Sequence, residues 1–260
     1  MSQSVQPILQ VKEVTKTFGS LVALENVTFD VYPGEIVSII GPNGAGKTTL
    51  FNVIAGILSP TSGAVRFGEQ ETVKMLTYKV ARLGIASTFQ QFRLFHNMSG
   101  FENAMVGTWK LSKIGWLISM LGLSRVKSED NTIAKGMMKD LALLGILDAR
   151  IVPPPSTMTL RDQRALTIGR AIVSHPKLLL LDEPAAALNY EEIMDLSQQF
   201  LRYKQQGMSI LLIDHRMEIV MGISDRVIVL NFGSKIADDT PANIQANKEV
   251  LSVYLGEEID

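Results

Sequence analysis

Gly41-Pro42-Asn43-Gly44-Ala45-Gly46-Lys47-Thr48 follows the apolar run Glu35–Ile40 and precedes a stretch with Leu50, Ile54, Ile57 and Leu58 at helical spacing. Eight residues in the pattern G-x-x-x-x-G-K-[ST], set between a strand and a helix, form a phosphate-binding loop. The glycines permit positive φ and close backbone approach, so successive N–H groups and the helix amino terminus surround a β-phosphate. Lys47 neutralises β/γ charge, the Thr48 hydroxyl is a ligand for Mg²⁺, and Thr49 completes the binding stretch. A loop of this kind belongs at the carboxyl end of a parallel strand, which sets the fold class before any other segment is read.

Further apolar runs rich in branched residues, Leu178–Leu181, Ser209–Ile213 and Val227–Leu230, end in turn or polar residues and read as buried strands separated by helical patterns. The alternation predicts an α/β P-loop core with a mostly parallel, doubly wound sheet. Near the amino terminus, Leu9 and Val11, the turn Phe18-Gly19-Ser20, and Leu24–Val31 read as an antiparallel β addition. Between Phe92 and Thr157 strand-like runs vanish and helical spacing takes over, in Ile114–Leu121 and in Met137, Leu141 and Leu144. The expected domains are therefore residues 1–91 with 158–260 as the core, and residues 92–157 as an inserted helical lobe. Pro153, Pro154 and Pro155 end that lobe in stiff, extended geometry.

Leu178–Leu181 runs into Asp182 and Glu183, and Leu211-Leu212-Ile213 into Asp214 and His215. Alternation along a strand points the adjacent acids in different directions, suiting Asp182 to hold Mg²⁺ through its water shell and Glu183 to polarise a water near the γ-phosphate. Alone, the two acids serve equally well as a helix cap before Pro184. His215 is placed to donate towards the γ-phosphate, because ligands of open α/β sheets collect outside the carboxyl ends of the strands. His96 and His175 read as surface residues.

The 260 residues suffice for a large α/β domain or a core with an appended lobe, and a formal charge of −1 gives no electrostatic reason to expect nucleic acid. No cysteine is present, which excludes disulfides, thiolate metal sites and a cysteine nucleophile. The amino terminus lacks a secretory pattern, and no apolar run approaches the roughly 18 residues of a membrane span. A hydrophobic share of 46% fits either a docking surface or a buried parallel sheet.

The ordered set GPNGAGKTTL, STFQQ, LLLLDEP, AALN and LLIDH resembles the ATP-binding-cassette (ABC) ATPases over nearly the whole chain. The resemblance implies a Mg²⁺-dependent, ATP-hydrolysing subunit in which Gln90, or its neighbour Gln91, ligates Mg²⁺ and couples it to the helical lobe. It implies that Phe18 stacks on adenine, the alternative being a simple turn aromatic, and that Ala186-Ala187-Leu188-Asn189 crosses to a partner subunit. Within the family, the long Gly107–Gly145 insert, the AALN loop and the ending through Val253-Tyr254-Leu255-Gly256 are most like the ATP-binding subunits of branched-chain amino-acid importers. Such a subunit lies peripherally on the cytoplasmic face of the membrane, bound to transmembrane permeases and to a second ATPase subunit. Trp109, Ile114, Trp116, Leu117 and Leu121 would be docking surface or core.

Met158-Thr159-Leu160-Arg161-Asp162 departs from the family pattern by standing where an LSGGQ-like signature belongs. Large side chains replace both glycines and restrict the close approach to a partner's γ-phosphate. Two readings follow. Either the chain pairs with a different ATPase subunit whose signature is intact, or it forms a homodimer with two impaired sites or a variant that has lost hydrolysis. The intact phosphate face favours the first, and a nucleotide-binding regulatory module with little hydrolysis is the alternative function. Milder departures are Asp214 where glutamate is usual and Arg216 where an acid is usual.

Overall fold

A computed structural model of the chain describes residues 5–88, 94–108 and 154–255. Among these residues are strands β1 (Leu9–Phe18), β2 (Leu21–Val31), β3 (Ile36–Ile40), β4 (Ser62–Phe67), β5 (Gln70–Glu71), β6 (Ile85–Ser87), β7 (Leu178–Asp182), β8 (Ser209–Ile213), β9 (Arg226–Asn231) and β10 (Ser234–Asp239). The helices are α1 (Lys47–Ile54), α2 (Thr77–Leu83), α3 (Gly100–Gly107), α4 (Leu160–Ile172), α5 (Tyr190–Gln205), α6 (Met217–Ile223), α7 (Pro241–Ala246) and α8 (Lys248–Leu255). They form two compact units, Met1–Ser87 with Lys177–Asp260, and Thr88–Pro176.

The larger unit contains two sheets. One is six-stranded in the order β10-β9-β3-β8-β7-β6, parallel from β9 to β6, with β10 antiparallel at its edge. β3, β7 and β8 are buried on both faces apart from Asp182 at the tip of β7, which is why they read as unbroken apolar runs rather than as alternation. The second sheet, β2-β1-β4-β5, is antiparallel and confirms the antiparallel addition. It is larger than expected, because β4 and β5 are short, mostly exposed strands without an apolar signature. Leu50, Phe51, Val53 and Ile54 of α1 join both sheets in one core. The apolar spacing at Ile57 continues beyond the helix, which ends at Ile54 because Gly56 turns the chain at φ 70°.

At the amino ends of the parallel strands an ionic cluster ties the edge together. Arg226 pairs with Glu35 at 3.4 Å and Asp238 at 3.1 Å, while the Asp225 carboxylate accepts from the Ile36 amide at 2.8 Å. Burial pushes the Glu35 carboxyl above its usual range. The opposite, carboxyl-terminal edge is left for polar loops.

In the smaller unit, α3 starts from a Ser99–Glu102 capping box, and Ala104 packs with Leu94, Leu166 and Val173 in an apolar cluster. A Cβ at Gly107 would lie 2.0 Å from the Arg170 carbonyl, so glycine sets how closely α3 and α4 approach. This unit extends beyond the expected 92–157 lobe, since α4 packs on α3. Pro154 is extended (φ −56°, ψ 146°), but Pro155–Thr157 turn into a 3₁₀ helix rather than continuing extended.

Gly63 and Gly68 separate two glycine effects. Both have positive φ, 88° and 58°, but a Cβ on Gly63 would meet the Glu13 carbonyl at 2.3 Å whereas Gly68 faces open space. We expect Gly63→Ala to cost about 3–5 kcal/mol and Gly68→Ala only about 1–2 kcal/mol in urea unfolding. Equal losses would contradict the close approach of β4 to β1.

Candidate functional site: a phosphate loop facing two acidic strand ends

The parallel register brings Ile39 of β3 and Asp182 of β7 level with Ile213 of β8, so all three strands release their loops at one height. The loop after β3 is shaped by glycine. Gly41 has φ 149° and would place a Cβ 2.1 Å from the Leu230 carbonyl; Gly46 has φ 97° and would meet the Ala23 carbonyl at 2.5 Å. Gly46 is also the N-cap of α1 and supplies no capping side chain, leaving the first amides of the helix to an outside acceptor. Asn43 and Gly44 form the exposed crest, with Pro42 half-buried and Ala45 buried beneath. The Gly233 amide donates to the Ala45 carbonyl at 3.2 Å, fastening the loop to the β9–β10 turn.

Lys47 is 7% exposed and folds over this loop, its Nζ donating to the carbonyls of Gly41 at 2.8 Å and Pro42 at 2.9 Å. Burial pushes its pKa down, opposed by the charges of Glu183 and Asp182. The Thr48 side chain is exposed and that of Thr49 half-buried. Across the edge, Asp182 is pushed up to about 6, first by burial and then by Glu183, against the opposing pull of Lys47. Glu183 leaves the strand at φ 50°, an uncommon conformation for a non-glycine residue, and its Oε1 lies 3.2 Å from Nε2 of His215. The sequence-assigned acid, histidine and lysine thus meet at one sheet edge. Phe18 ends β1 with 46% of its surface exposed, and the Lys16 ammonium sits 5.0 Å from its ring centroid.

Asp214 was legible only as a departure from pattern, yet it organises the site. Its carboxylate is 2% exposed, Oδ2 accepting from the Ala185 amide at 2.8 Å and Oδ1 from the Arg216 amide at 2.9 Å. It therefore ties the turn after Glu183 to the turn that carries His215. Arg216 adds a second tie by donating to the Leu188 carbonyl at 3.1 Å. Asn189 caps α5 through a reciprocal box with Glu192, and Ala187 has φ 61°. His96 and His175 are exposed, as expected. Gln90, Gln91 and the Trp109–Leu121 segment lie outside the described residues. In the smaller unit, Thr159 caps α4: its hydroxyl accepts from the Asp162 amide at 3.1 Å and donates to the Asp162 carboxylate at 2.7 Å. Leu160, beside it, is 64% exposed.

Among the described residues, no group of three or more His, Cys, Asp or Glu side chains has metal-binding geometry. The Asp182 carboxylate at its strand end and the exposed Thr48 hydroxyl are hard oxygen donors of the kind that suit Mg²⁺, which keeps waters and takes phosphate oxygens to complete its shell. Also among these residues, no helix is long and apolar enough to cross a membrane.

The parallel sheet and its glycine loop define a P-loop nucleotide-binding cassette. The chain belongs to the ABC transporter family, whose model matches residues 24–186; a second model, for branched-chain amino acid ATP-binding cassette transporters, matches residues 234–260. The high-affinity branched-chain amino acid transport ATP-binding protein LivG of Escherichia coli K12 is 40% identical over 256 residues, 97% of this chain and 99% of that one. BraF of Pseudomonas aeruginosa, described in the same words, is 36% identical over the same shares. A nucleotide-free ATP-binding cassette from an ABC transporter superposes with a TM-score of 0.82 at 28% identity, covering 97% of this chain and 100% of that structure. The ADP conformation of an ATP-binding cassette of an ABC transporter superposes with a TM-score of 0.80 at 28% identity and the same coverage.

The raised pKa of Asp182 sets a sign for stability. The folded state holds a proton that the unfolded chain releases, so the stability this brings is complete below the ordinary aspartate value of 3.8 and is lost as pH rises through about 6. In chelator, without nucleotide, Asp182→Asn should gain urea stability relative to wild type between pH 4.5 and 7; a gap that does not vary with pH would contradict the burial of this carboxyl.

Proposed function

We propose that the chain is the ATP-binding subunit of a branched-chain amino-acid importer and hydrolyses ATP to drive its membrane permease. The observation that carries this reading is the meeting of the glycine loop, Lys47, Asp182, Glu183 and His215 at one sheet edge, with Glu183 and His215 3.2 Å apart. The names of the relatives supply the transported class, and their near-complete coverage supports carrying it over.

In this reading the amides of residues 44–49 and the Lys47 ammonium hold the β- and γ-phosphates, and Phe18 offers its exposed face to adenine. Thr48, Asp182 and, by the family resemblance, Gln90 would hold Mg²⁺, whose charge would screen the β- and γ-phosphate oxygens. Glu183 accepts a hydrogen bond from the attacking water, which bonds to the γ-phosphorus as the β–γ bridging oxygen departs with ADP. His215 turns Glu183 towards the loop until a γ-phosphate competes for the imidazole. The turn fixed by Asp214 keeps these groups in register, so little reorganisation is needed at the moment of reaction. The chain works on the cytoplasmic face of the membrane, against permease subunits.

The signature segment favours an asymmetric pair over a homodimer. Thr159 has already committed its hydroxyl proton to Asp162, and Leu160 and Arg161 carry side chains where a partner's γ-phosphate would need bare backbone. This chain then binds and hydrolyses ATP with a partner's intact signature, while completing a poor site in return. A regulatory module with little hydrolysis is the second reading, favoured by the same segment. Phosphate release by the chain alone and with an intact-signature ATPase subunit separates them, since only the catalytic reading requires stimulation.

Glu183→Gln should retain ATP binding and reduce turnover of the assembled transporter about 10²–10⁴-fold at this site. Undiminished phosphate release would remove Glu183 from the mechanism.

A further inference from the structure

Residues 185–188 lie between the Glu183 turn and α5 and fold into a tight loop. The Ala186 amide donates to the Glu183 carbonyl at 3.3 Å, and the Leu188 amide to the Ala185 carbonyl at 3.2 Å. Its crest is exposed and strained, with Ala187 in the left-handed region at φ 61°. This is the loop that the family resemblance assigns to contact with a partner subunit. Both of its ends are clasped by the turn that carries His215. At the start, Oδ2 of Asp214 accepts from the Ala185 amide at 2.8 Å; at the end, Nη1 of Arg216 donates to the Leu188 carbonyl at 3.1 Å. The two clasping residues flank His215, whose Nε2 lies 3.2 Å from the Glu183 carboxylate. A movement of the loop therefore reaches His215 from either side, and Glu183 through the imidazole.

The two halves of the clasp differ in strength. Asp214 is 2% exposed and accepts from two amides, which makes it a permanent fixture. Arg216 is half-buried, so water competes for its guanidinium and its bond to Leu188 can open. Three features still aim it at that carbonyl. Its own amide is held by Oδ1 of Asp214 at 2.9 Å. Although it is the N-cap of α6, its side chain makes no capping bond to that helix. Oε2 of Glu218 lies 3.5 Å from its Nε and steadies the guanidinium. The residue type decides whether the tie exists, because an ionised acid, usual at this place in the family, has no proton to donate to a carbonyl.

We propose that Arg216 is a positioning residue for hydrolysis: through the Leu188 carbonyl it holds the partner-facing loop in register with the Glu183–His215 pair, so that the seating of a partner on this loop sets the geometry of the water-polarising acid. It acts through these neighbours rather than on nucleotide. This rests on the hydrolytic reading above and adds to it a route from the partner to the catalytic pair.

The test sets phosphate release by the assembled transporter beside calorimetric Mg-ATP affinity and urea unfolding of the full-length chain. Arg216→Ala removes the tie. It should lower kcat about fivefold, the scale of one half-exposed hydrogen bond, and leave KM for ATP, ATP affinity and the unfolding midpoint near wild type. Arg216→Lys keeps an ammonium that can donate to a single carbonyl and should recover most of the loss. Glu218→Gln keeps the guanidinium but removes the charge that steadies it, and should lower kcat only about twofold, as befits a surface ion pair. Three results would overturn the positioning role: wild-type kcat in Arg216→Ala, no recovery in Arg216→Lys, or a parallel fall of ATP affinity or unfolding midpoint in Arg216→Ala. A wild-type transporter that releases no phosphate would overturn the hydrolytic reading itself, and this inference with it.

Discussion

The parallel register of β3, β8 and β7 is the constraint on which the rest of the structure depends. Hydrogen bonding aligns Ile39, Ile213 and Asp182 across three strands, so each strand releases its loop at the same level. That alignment requires strands buried on both faces, hence side chains that are nearly all apolar, and it places the first available polar residues at the strand ends. The site is thus where the sheet has to stop being hydrophobic. Glycine completes it: Gly41 and Gly46 let the loop after β3 lie against Leu230 and Ala23 at distances that exclude a side chain.

At that edge the electrostatics are strained and mutually compensated. Three carboxylates, Asp182, Glu183 and Asp214, gather near one buried ammonium and one imidazole, and burial raises both Asp182 and Asp214. Asp214 is held by backbone amides, Glu183 by His215, and Lys47 by its own loop carbonyls. Such an arrangement favours ligands that bring both anionic oxygens for Lys47 and the helix and a cation for the acids, which is the composition of a metal–nucleotide complex. The left-handed backbone at Glu183 and Ala187 lies in the same turn, where neighbouring contacts hold it.

Much of this was legible before any coordinates, for a physical reason. Strands buried on both faces announce themselves as branched apolar runs, so β3, β7, β8 and β9 were found within a residue or two of their limits, and the glycine loop with them. β4, β5 and β10 were not, because an exposed or edge strand needs no apolar pattern. The expected lobe was narrower than the second compact unit because α4 follows a helical pattern that says nothing about its packing partner. Asp214 looked like a deviation from a family habit, since its value lies in two backbone amides 29 and 2 residues away.

The central claim is that the glycine loop and Lys47 form a nucleotide-phosphate site presented by the sheet edge. Calorimetric titration of the wild-type chain and of Lys47→Ala with Mg-ATP tests it most directly. The account predicts saturable one-to-one binding by the wild type and an affinity weakened about tenfold or more when the buried charge-assisted contact is lost. Equal affinity in the two proteins, or no binding by the wild type, would contradict it.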